Sequence, residues 1–345
     1  MPDPLLVTNP TNIRYLTGFV GVEPAEREAY VLLMDKETYL FTNSLYIEQA
    51  KNLPAKLIEI SRENPISKKL LRITDELDIK KLGFEDTNLT VAELAKLKQT
   101  LTSVSLMPTR GRIEEQRMIK RDDEIKNIKL AAKITDQCFA YILKCIRPGV
   151  TEGKLAWKIE SFCKMKAGDN AFSPIVAFNE HSSMPHYMSR GNSPLRNNSL
   201  VLLDFGARVN GYCADMTRTV FLGPPKPEWE HAYNAVLSAN EKAIDLLING
   251  ERKGATLDAA AKEVIAEENL PPYAHSLGHA VGLDIHEAPR LSVTKDEGLK
   301  SGMVFSVEPG IYLEGQYGIR IEDLVLLKGK SIEILSRSQK QITVL

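Results

Sequence analysis

The sequence predicts an α+β protein of two domains, and three observations carry that reading. The chain has 345 residues, enough for two hydrophobic cores. Residues 1–110 alternate strand and helix signals, the pattern of an α/β unit. The remainder groups its elements differently: two helices, several strands, two helices, several strands. That order suggests two similar halves, although their sequences are not visibly alike.

Composition narrows the functions. Hydrophobic residues make up 43% and charged residues 26%, as in ordinary globular proteins. The net charge of −1 gives no electrostatic basis for nucleic acid or an anionic membrane as partner. No apolar run approaches the roughly 18 residues of a membrane span. The start, MPDPLLVTNP, lacks a basic segment followed by an apolar one, so no secretory signal is expected. Cys138, Cys145, Cys163 and Cys213 form no CxxC pair. They are expected to be free thiols in a reducing, cytoplasmic setting.

In the first domain, strands are expected at 4–7, 29–34, 38–41, 55–60, 81–84 and 102–106. Helices are expected at 43–51, 65–76 and 90–100. Thr90-Val-Ala-Glu93 fits a capping box. No phosphate-cradling glycine loop or titratable cluster stands out, so this domain is expected to be structural or substrate-shaping. The boundary is placed near residue 112, giving domains 1–112 and 113–345.

The second domain opens with a long charged stretch, 113–147, whose apolar positions Ile125, Ile128, Ala132, Cys138 or Phe139, and Ile142 keep helical spacing. Pro148-Gly149 stops it, and Thr151 is expected to cap a second helix over 152–167. The loop- and strand-like segment 172–195 holds His181, read as solvated, and His186. Helices at 227–248 and 256–268 follow, then short strands to the end.

Between the helix pairs lies LVLLDFGARVNGYCADMTRTV, residues 200–220. Asn210-Gly211 between two β-rich runs is a strong hairpin signal. A two-residue loop there sets Asp204 opposite Thr217 and Asp215 opposite Gly206. Both aspartates then share a face as diagonal neighbours, about 7–8 Å apart, within reach of one ion or of two side by side. An acid that follows Leu-Val-Leu-Leu in a buried strand needs a partner or a metal.

Three further motifs lie downstream. In HSLGHAVGLDIHE, His275, His279 and His286 fall within twelve residues, and Gly278 and Gly282 allow backbone to approach a site. FSVEPG places Glu308 where a strand stops. In YGIRIEDLVLL, period 2 puts Arg320 and Glu322 on one face. Each motif alone has a plain structural explanation: a turn, a solvated strand end, a surface ion pair. Together, Asp204, Asp215, His279, Glu308 and Glu322 suit a pair of hard-to-borderline divalent ions. Two ions about 3.5–4 Å apart can share a hydroxide and polarise a carbonyl. Without them, the four acids would repel and several would hold protons.

This constellation resembles the metallopeptidases of the pita-bread fold, among them methionine aminopeptidase, Xaa-Pro aminopeptidase and prolidase. DFG, ADMTRT, HxxGHxxGLxxHE, EPGIY and RIED match in order, and Asn12 to Phe19 (NIRYLTGF) resembles the proline-peptidase signature. The resemblance implies a creatinase-like N-terminal α/β domain followed by a pita-bread catalytic domain. It implies that Asp204 holds one ion, that Asp215 and Glu322 bridge both, and that His279 and Glu308 complete the other. Glu308 would also be the general base, and His186 would assist the amine or the tetrahedral intermediate. His275 and His286 flank the metal-binding histidine, with His286 at the oxyanion or substrate carbonyl. Arg320 would orient the acids, and Thr217 could hydrogen-bond one of them. Mn²⁺ is the ion expected first, with Co²⁺, Zn²⁺ or Fe²⁺ as alternatives. The implied substrates are small peptides with proline second, cleaved by attack of a metal-bridging hydroxide, and the implied assembly is a homodimer.

The chain departs from the family pattern at Ser-Met-Pro-His-Tyr around His186 and at Ala280, which bears on substrate preference. Methionine aminopeptidase is an alternative, but it needs no N-terminal α/β domain. A creatinase-like hydrolase does not require all five ligands. A non-catalytic peptide-binding relative typically lacks ligands and adds charged tails.

Overall fold

The computed structural model describes residues 4–23, 26–189, 191–294 and 298–345. The chain divides into two compact units between Arg117 and Met118.

The first unit contains β1 (Leu5–Val7), α1 (Pro10–Thr17), β2 (Ala29–Leu33), β3 (Thr38–Thr42), α2 (Ile47–Ala50), β4 (Lys56–Glu59), α3 (Ile66–Glu76), β5 (Lys81–Glu85), α4 (Val91–Thr100) and β6 (Ser105–Thr109), with α5 (Arg112–Met118) at its end. Its six strands form one sheet in the order β4-β3-β2-β1-β5-β6. The capping box of α4 is present: the Thr90 hydroxyl accepts from Glu93 N–H at 3.2 Å, and Glu93 accepts from Thr90 N–H at 2.8 Å. Helix α1 is not among the expected elements. Its start is nonetheless coded locally, because Pro10 occupies the first turn and Asn9 Oδ1 accepts from the N–H groups of Thr11 and Asn12. The expected absence of a titratable cluster also needs correction. Asn12, fully buried, donates to Glu85 at 2.6 Å and to Glu114 at 2.8 Å, and accepts from Arg117 at 2.7 Å.

The second unit begins with α6 (Asp122–Leu143) and α7 (Glu152–Ala167), followed by β7 (Asp169–Asn170), β8 (Ile175–Phe178) and a 3-10 turn (Asn179–Ser183). Then come β9 (Ser199–Asp204), β10 (Ala207–Val209), β11 (Tyr212–Cys213), β12 (Thr217–Leu222), α8 (Pro227–Ile248) and α9 (Gly254–Glu267). The remaining strands are β13 (Gly278–Ala280), β14 (Glu287–Leu291), β15 (Val304–Val307), β16 (Gly310–Leu313), β17 (Tyr317–Arg320), β18 (Asp323–Lys328) and β19 (Ser331–Ile334). The expected single helix over 113–147 is broken at residues 119–121. Arg121 N–H donates to Glu124 Oε2 at 2.8 Å, and the acids Asp122, Asp123 and Glu124 occupy the first turn of α6. That acidic run is a helix start favoured by the backbone dipole. The Thr151 cap of α7 is as expected, accepting from Lys154 N–H at 3.3 Å.

The main apolar cluster of this unit joins one face of α8 and α9 to the strands carrying the downstream motifs, through Trp229, Tyr233, Phe221, Phe305 and Ile319. The four cysteines are free, with Cys145 the least buried. No described helix is long and apolar enough to cross a membrane.

Candidate metal centre

The hairpin forms in the expected register. Asn210 and Gly211 both take positive φ, +49° and +91°, as a type I′ turn requires. Asp204 faces Thr217 across the β9–β12 ladder, and Arg208 faces Cys213 nearer the turn. Asp204 ends β9, and Asp215 lies in the short link from β11 to β12. His279 sits on β13, Glu308 directly follows β15, and Glu322 occupies the corner between β17 and β18. These strands and links thus deliver five side chains to one cavity of about 630 Å³, which Arg320, His186, His275 and His286 also line.

Asp215, His279 and Glu322 each offer a ligand atom within 4.8 Å of the others. His279 Nε2 lies 3.2 Å from Glu308 Oε1 and 3.7 Å from Asp215 Oδ2. Its Nδ1 donates to the Ala280 carbonyl at 3.2 Å, which orients the ring with Nε2 toward the acids. Asp204 is turned toward Arg320, which donates to it at 2.5 Å. Thr217 Oγ1 donates to Glu322 at 2.8 Å and accepts from Arg320 Nε at 2.9 Å. Arg320 and Glu322 are buried, at 4% and 2% exposure, so the surface-pair explanation fails. Glu308 is also drawn out of water rather than left at a solvated strand end.

The electrostatics follow from crowding acids away from water. Burial, then repulsion from Glu322 and Asp204, raises Asp215 well above its ordinary value. Burial, then Glu308 and Asp204, does the same to Glu322. Asp204 is raised by burial against the pull of Arg320. Glu308 goes the other way: burial would raise it, but the hydrogen bond and charge of His279 hold it down to about 2. Burial would lower His279, yet Glu308 raises it.

Comparison with known proteins places this arrangement. Residues 126–329 match the profile of metallopeptidase family M24, and residues 3–119 match the creatinase/prolidase N-terminal domain. The chain belongs to metallopeptidase family M24. Its fold is the creatinase-type N-terminal domain and the pita-bread domain. Among its relatives is the uncharacterised peptidase YqhT of Bacillus subtilis, 34% identical over 99% of this chain and 96% of that protein. Similar solved structures include an Xaa-Pro dipeptidase from Bacillus anthracis, with TM-score 0.92, 35% identity and coverage of 99% of this chain and 95% of that one. An X-Pro aminopeptidase from Thermotoga maritima has TM-score 0.90 at 31% identity over 99% and 97% of the two chains. A prolidase from Thermococcus sibiricus has TM-score 0.90 at 33% identity over 99% and 94%.

The M24 chain is thus a metallopeptidase, and its residues fit a divalent ion on their own evidence. Asp204 Oδ1, Asp215 Oδ1 and Glu322 Oε1 are buried without a hydrogen-bond partner among the described residues. Buried carboxylates with orphaned oxygens, two of them (Asp215 and Glu322) grouped with the His279 imidazole, call for a cation, and an oxygen-rich set with one nitrogen suits hard-to-borderline metals.

Two contributors escaped the sequence reading. Ser306 Oγ donates to Glu308 Oε1 at 3.0 Å and accepts from His279 N–H at 3.0 Å. Tyr312 links Arg320 to His275: its oxygen accepts from Arg320 Nη1 at 2.7 Å, and its hydroxyl donates to His275 Nε2 at 3.1 Å. His275 Nδ1 donates to the Ser276 carbonyl at 2.8 Å, which fixes that tautomer. Burial lowers the His275 pKa, against the pull of Glu308. The signal for Tyr312 was a second hairpin, in which Arg320 faces Gly310 and Tyr312 faces Gly318. Two expectations need correction. His181 is not simply solvated, since its Nδ1 pairs with buried Glu152 at 2.8 Å. Gly278 is small because the Ser306 backbone packs on it, where a Cβ would lie 1.9 Å from that carbonyl oxygen.

Proposed function

We propose that this M24 peptidase is a dinuclear Xaa-Pro exopeptidase acting as a dipeptidase. The observation that carries the dipeptide reading is Arg290. It lines the same cavity as the acid cluster and, among the described residues, makes no ion pair. A guanidinium beside the reacting centre suits the free carboxylate of a dipeptide. The solved structures titled as dipeptidase and prolidase support the same reading. The second reading, an Xaa-Pro aminopeptidase, rests on the Thermotoga maritima likeness.

In this proposal Asp204, Asp215, His279, Glu308 and Glu322 would together hold two divalent ions. When bound, the ions supply Lewis acidity toward the scissile carbonyl and make water nucleophilic near neutral pH. Glu308 takes the proton of the attacking water and passes it to the leaving proline nitrogen. An Xaa-Pro bond is a tertiary amide without an N–H, and its nitrogen leaves as a neutral secondary amine once it has taken that proton. His186 and His286 line the cavity and in this reading hold the substrate amine and carbonyl. His275 fixes Tyr312, and Arg320 fixes Asp204.

The proposal takes Mn²⁺ as native ion, a homodimer, and a cytoplasmic setting that suits the free cysteines. It assigns the chemistry to residues 113–345. Incubation with Mn²⁺ and either Ala-Pro or Ala-Pro-Ala, followed by assay of free alanine, tests it. Cleavage of Ala-Pro alone is expected. Cleavage of Ala-Pro-Ala would transfer the assignment to the aminopeptidase, and cleavage of neither would remove proline specificity.

A further inference from the structure

The wall of the cavity that carries His186 is tied to α7 through one buried carboxylate, while Ser189 at its far end is bonded to Val176 of β8. Glu152, in the first turn of α7, has no solvent exposure. Its Oε1 accepts from Phe178 N–H and from His181 Nδ1, both at 2.8 Å. Its Oε2 accepts from the Tyr187 hydroxyl at 2.8 Å. The rings of His181 and Tyr187 stack with centroids 4.7 Å apart and planes inclined by 21°. Glu152 therefore closes a clamp on both sides of residues 182–186 and ties it to the end of β8.

The clamped segment is docked from the opposite side as well. Ser182 Oγ accepts from Gly318 N–H at 2.7 Å, on the strand that ends in Arg320. Asn179 Oδ1 accepts from Leu200 N–H at 2.9 Å, on the strand that ends in Asp204. Pro185, His186, Tyr187, Met188 and Ser189 then form one side of the cavity that the acid cluster also lines. His186 itself is exposed, and no hydrogen bond of its own holds it among the described residues. Its position is set by its neighbours.

We propose that Glu152 is a positioning residue for the substrate: through His181 and Tyr187 it sets the placement of His186 relative to the acid cluster. The proposal rests on the reading that His186 faces the substrate. A carboxylate is required at position 152 because all three partners donate. Glutamine would offer one acceptor oxygen and direct an N–H group at a second donor. A misplacement of a few tenths of an ångström to 1 Å at a substrate-facing group is enough to lower turnover substantially.

The test is a double-mutant cycle on Ala-Pro hydrolysis with Glu152→Gln, His186→Ala and the pair, alongside Mn²⁺ binding by calorimetry. Each single variant is expected to lose at least about tenfold in kcat/KM, with Mn²⁺ affinity unchanged. The pair is expected to lose no more than His186→Ala alone. Fully additive losses, or equal loss of Mn²⁺ affinity in Glu152→Gln, would overturn the positioning role. An inert His186→Ala would instead overturn the reading of His186. Should Glu152→Gln fail to fold, Tyr187→Phe removes one arm of the clamp while keeping the ring stack. It is expected to lose activity only when His186 is present, and loss in both backgrounds would count against the proposal.

Discussion

Arg320 donates from Nη2 to Oδ2 of Asp204 at 2.5 Å, while the other oxygen of Asp204 is buried without a hydrogen-bond partner among the described residues. One carboxylate oxygen is thus engaged by Arg320 and the other is left without a partner among the described residues. Arg320→Ala strands this acid and also removes the donors to Thr217 and Tyr312. Breaking such a buried pair should cost about 3–5 kcal/mol in the metal-free protein. Urea unfolding with and without Mn²⁺ measures it, and a smaller loss is expected with metal present.

Asp204→Asn keeps the shape and the Arg320 contact but removes the charge facing the orphaned side. Activity on Ala-Pro should fall by about a hundredfold or more, and bound metal per chain should drop. Near-full activity in this variant would remove Asp204 from the ligand set.

Chelation should abolish activity and lower the melting temperature, and the metal-stripped protein should respond to pH in a defined direction. Asp215 and Glu322 have raised pKa values, first through burial and then through neighbouring acids. A group raised on folding contributes its full stability below its unfolded pKa and loses it as pH climbs through the folded one. His279, raised by Glu308 against burial, acts in the same direction from 6.5 upward. Glu308, held at about 2, loses its contribution only as pH falls below 4.5. The stripped protein should therefore become less stable as pH rises from about 4 toward neutrality. Mn²⁺ affinity should increase over the same span, because binding needs ionised carboxylates. Calorimetry on the stripped protein and on its Asp215→Asn variant checks this, with a flatter profile expected for the variant.

Tyr312→Phe removes the hydroxyl that joins Arg320 to His275. Leaving buried donors and acceptors unpaired should cost about 1–3 kcal/mol. The variant should also lower kcat more than it changes Mn²⁺ affinity. Steady-state kinetics paired with calorimetric titration separates the two effects.

Gly206 faces the Asp215 position on the neighbouring strand segment, and a Cβ there would lie 1.8 Å from the Ala214 carbonyl oxygen. Gly206→Ala must push the link carrying Asp215 away from the site. Destabilisation of about 1–3 kcal/mol is expected, together with weakened metal binding. A variant of wild-type stability and affinity would show that the link yields freely.

The sequence alone carried the α+β class, the hairpin register and the types of residue gathered at the candidate metal centre, because each is written locally. Asn210-Gly211 admits the positive φ values of one turn type, and period 2 then aligns Asp204 with Thr217. Ordered motifs could supply His279, Glu308 and Glu322 as candidates. Helix α1 and the break at residues 119–121 were also coded locally, by Asn9-Pro10 and by the acidic run at Asp122. There, capping chemistry outweighed the apolar spacing on which the reading relied. Other features belong to the tertiary structure. Arg320 and Asp204 are 116 residues apart, and no pattern in the chain says that the guanidinium takes one oxygen and leaves the other. Likewise Glu152, an ordinary acid in a helix start, meets His181 and Tyr187 only once α7 has packed beside β8. Periodicity assigns a side chain to a face, but the choice of partner on that face is made by packing and desolvation, which act between segments distant in sequence.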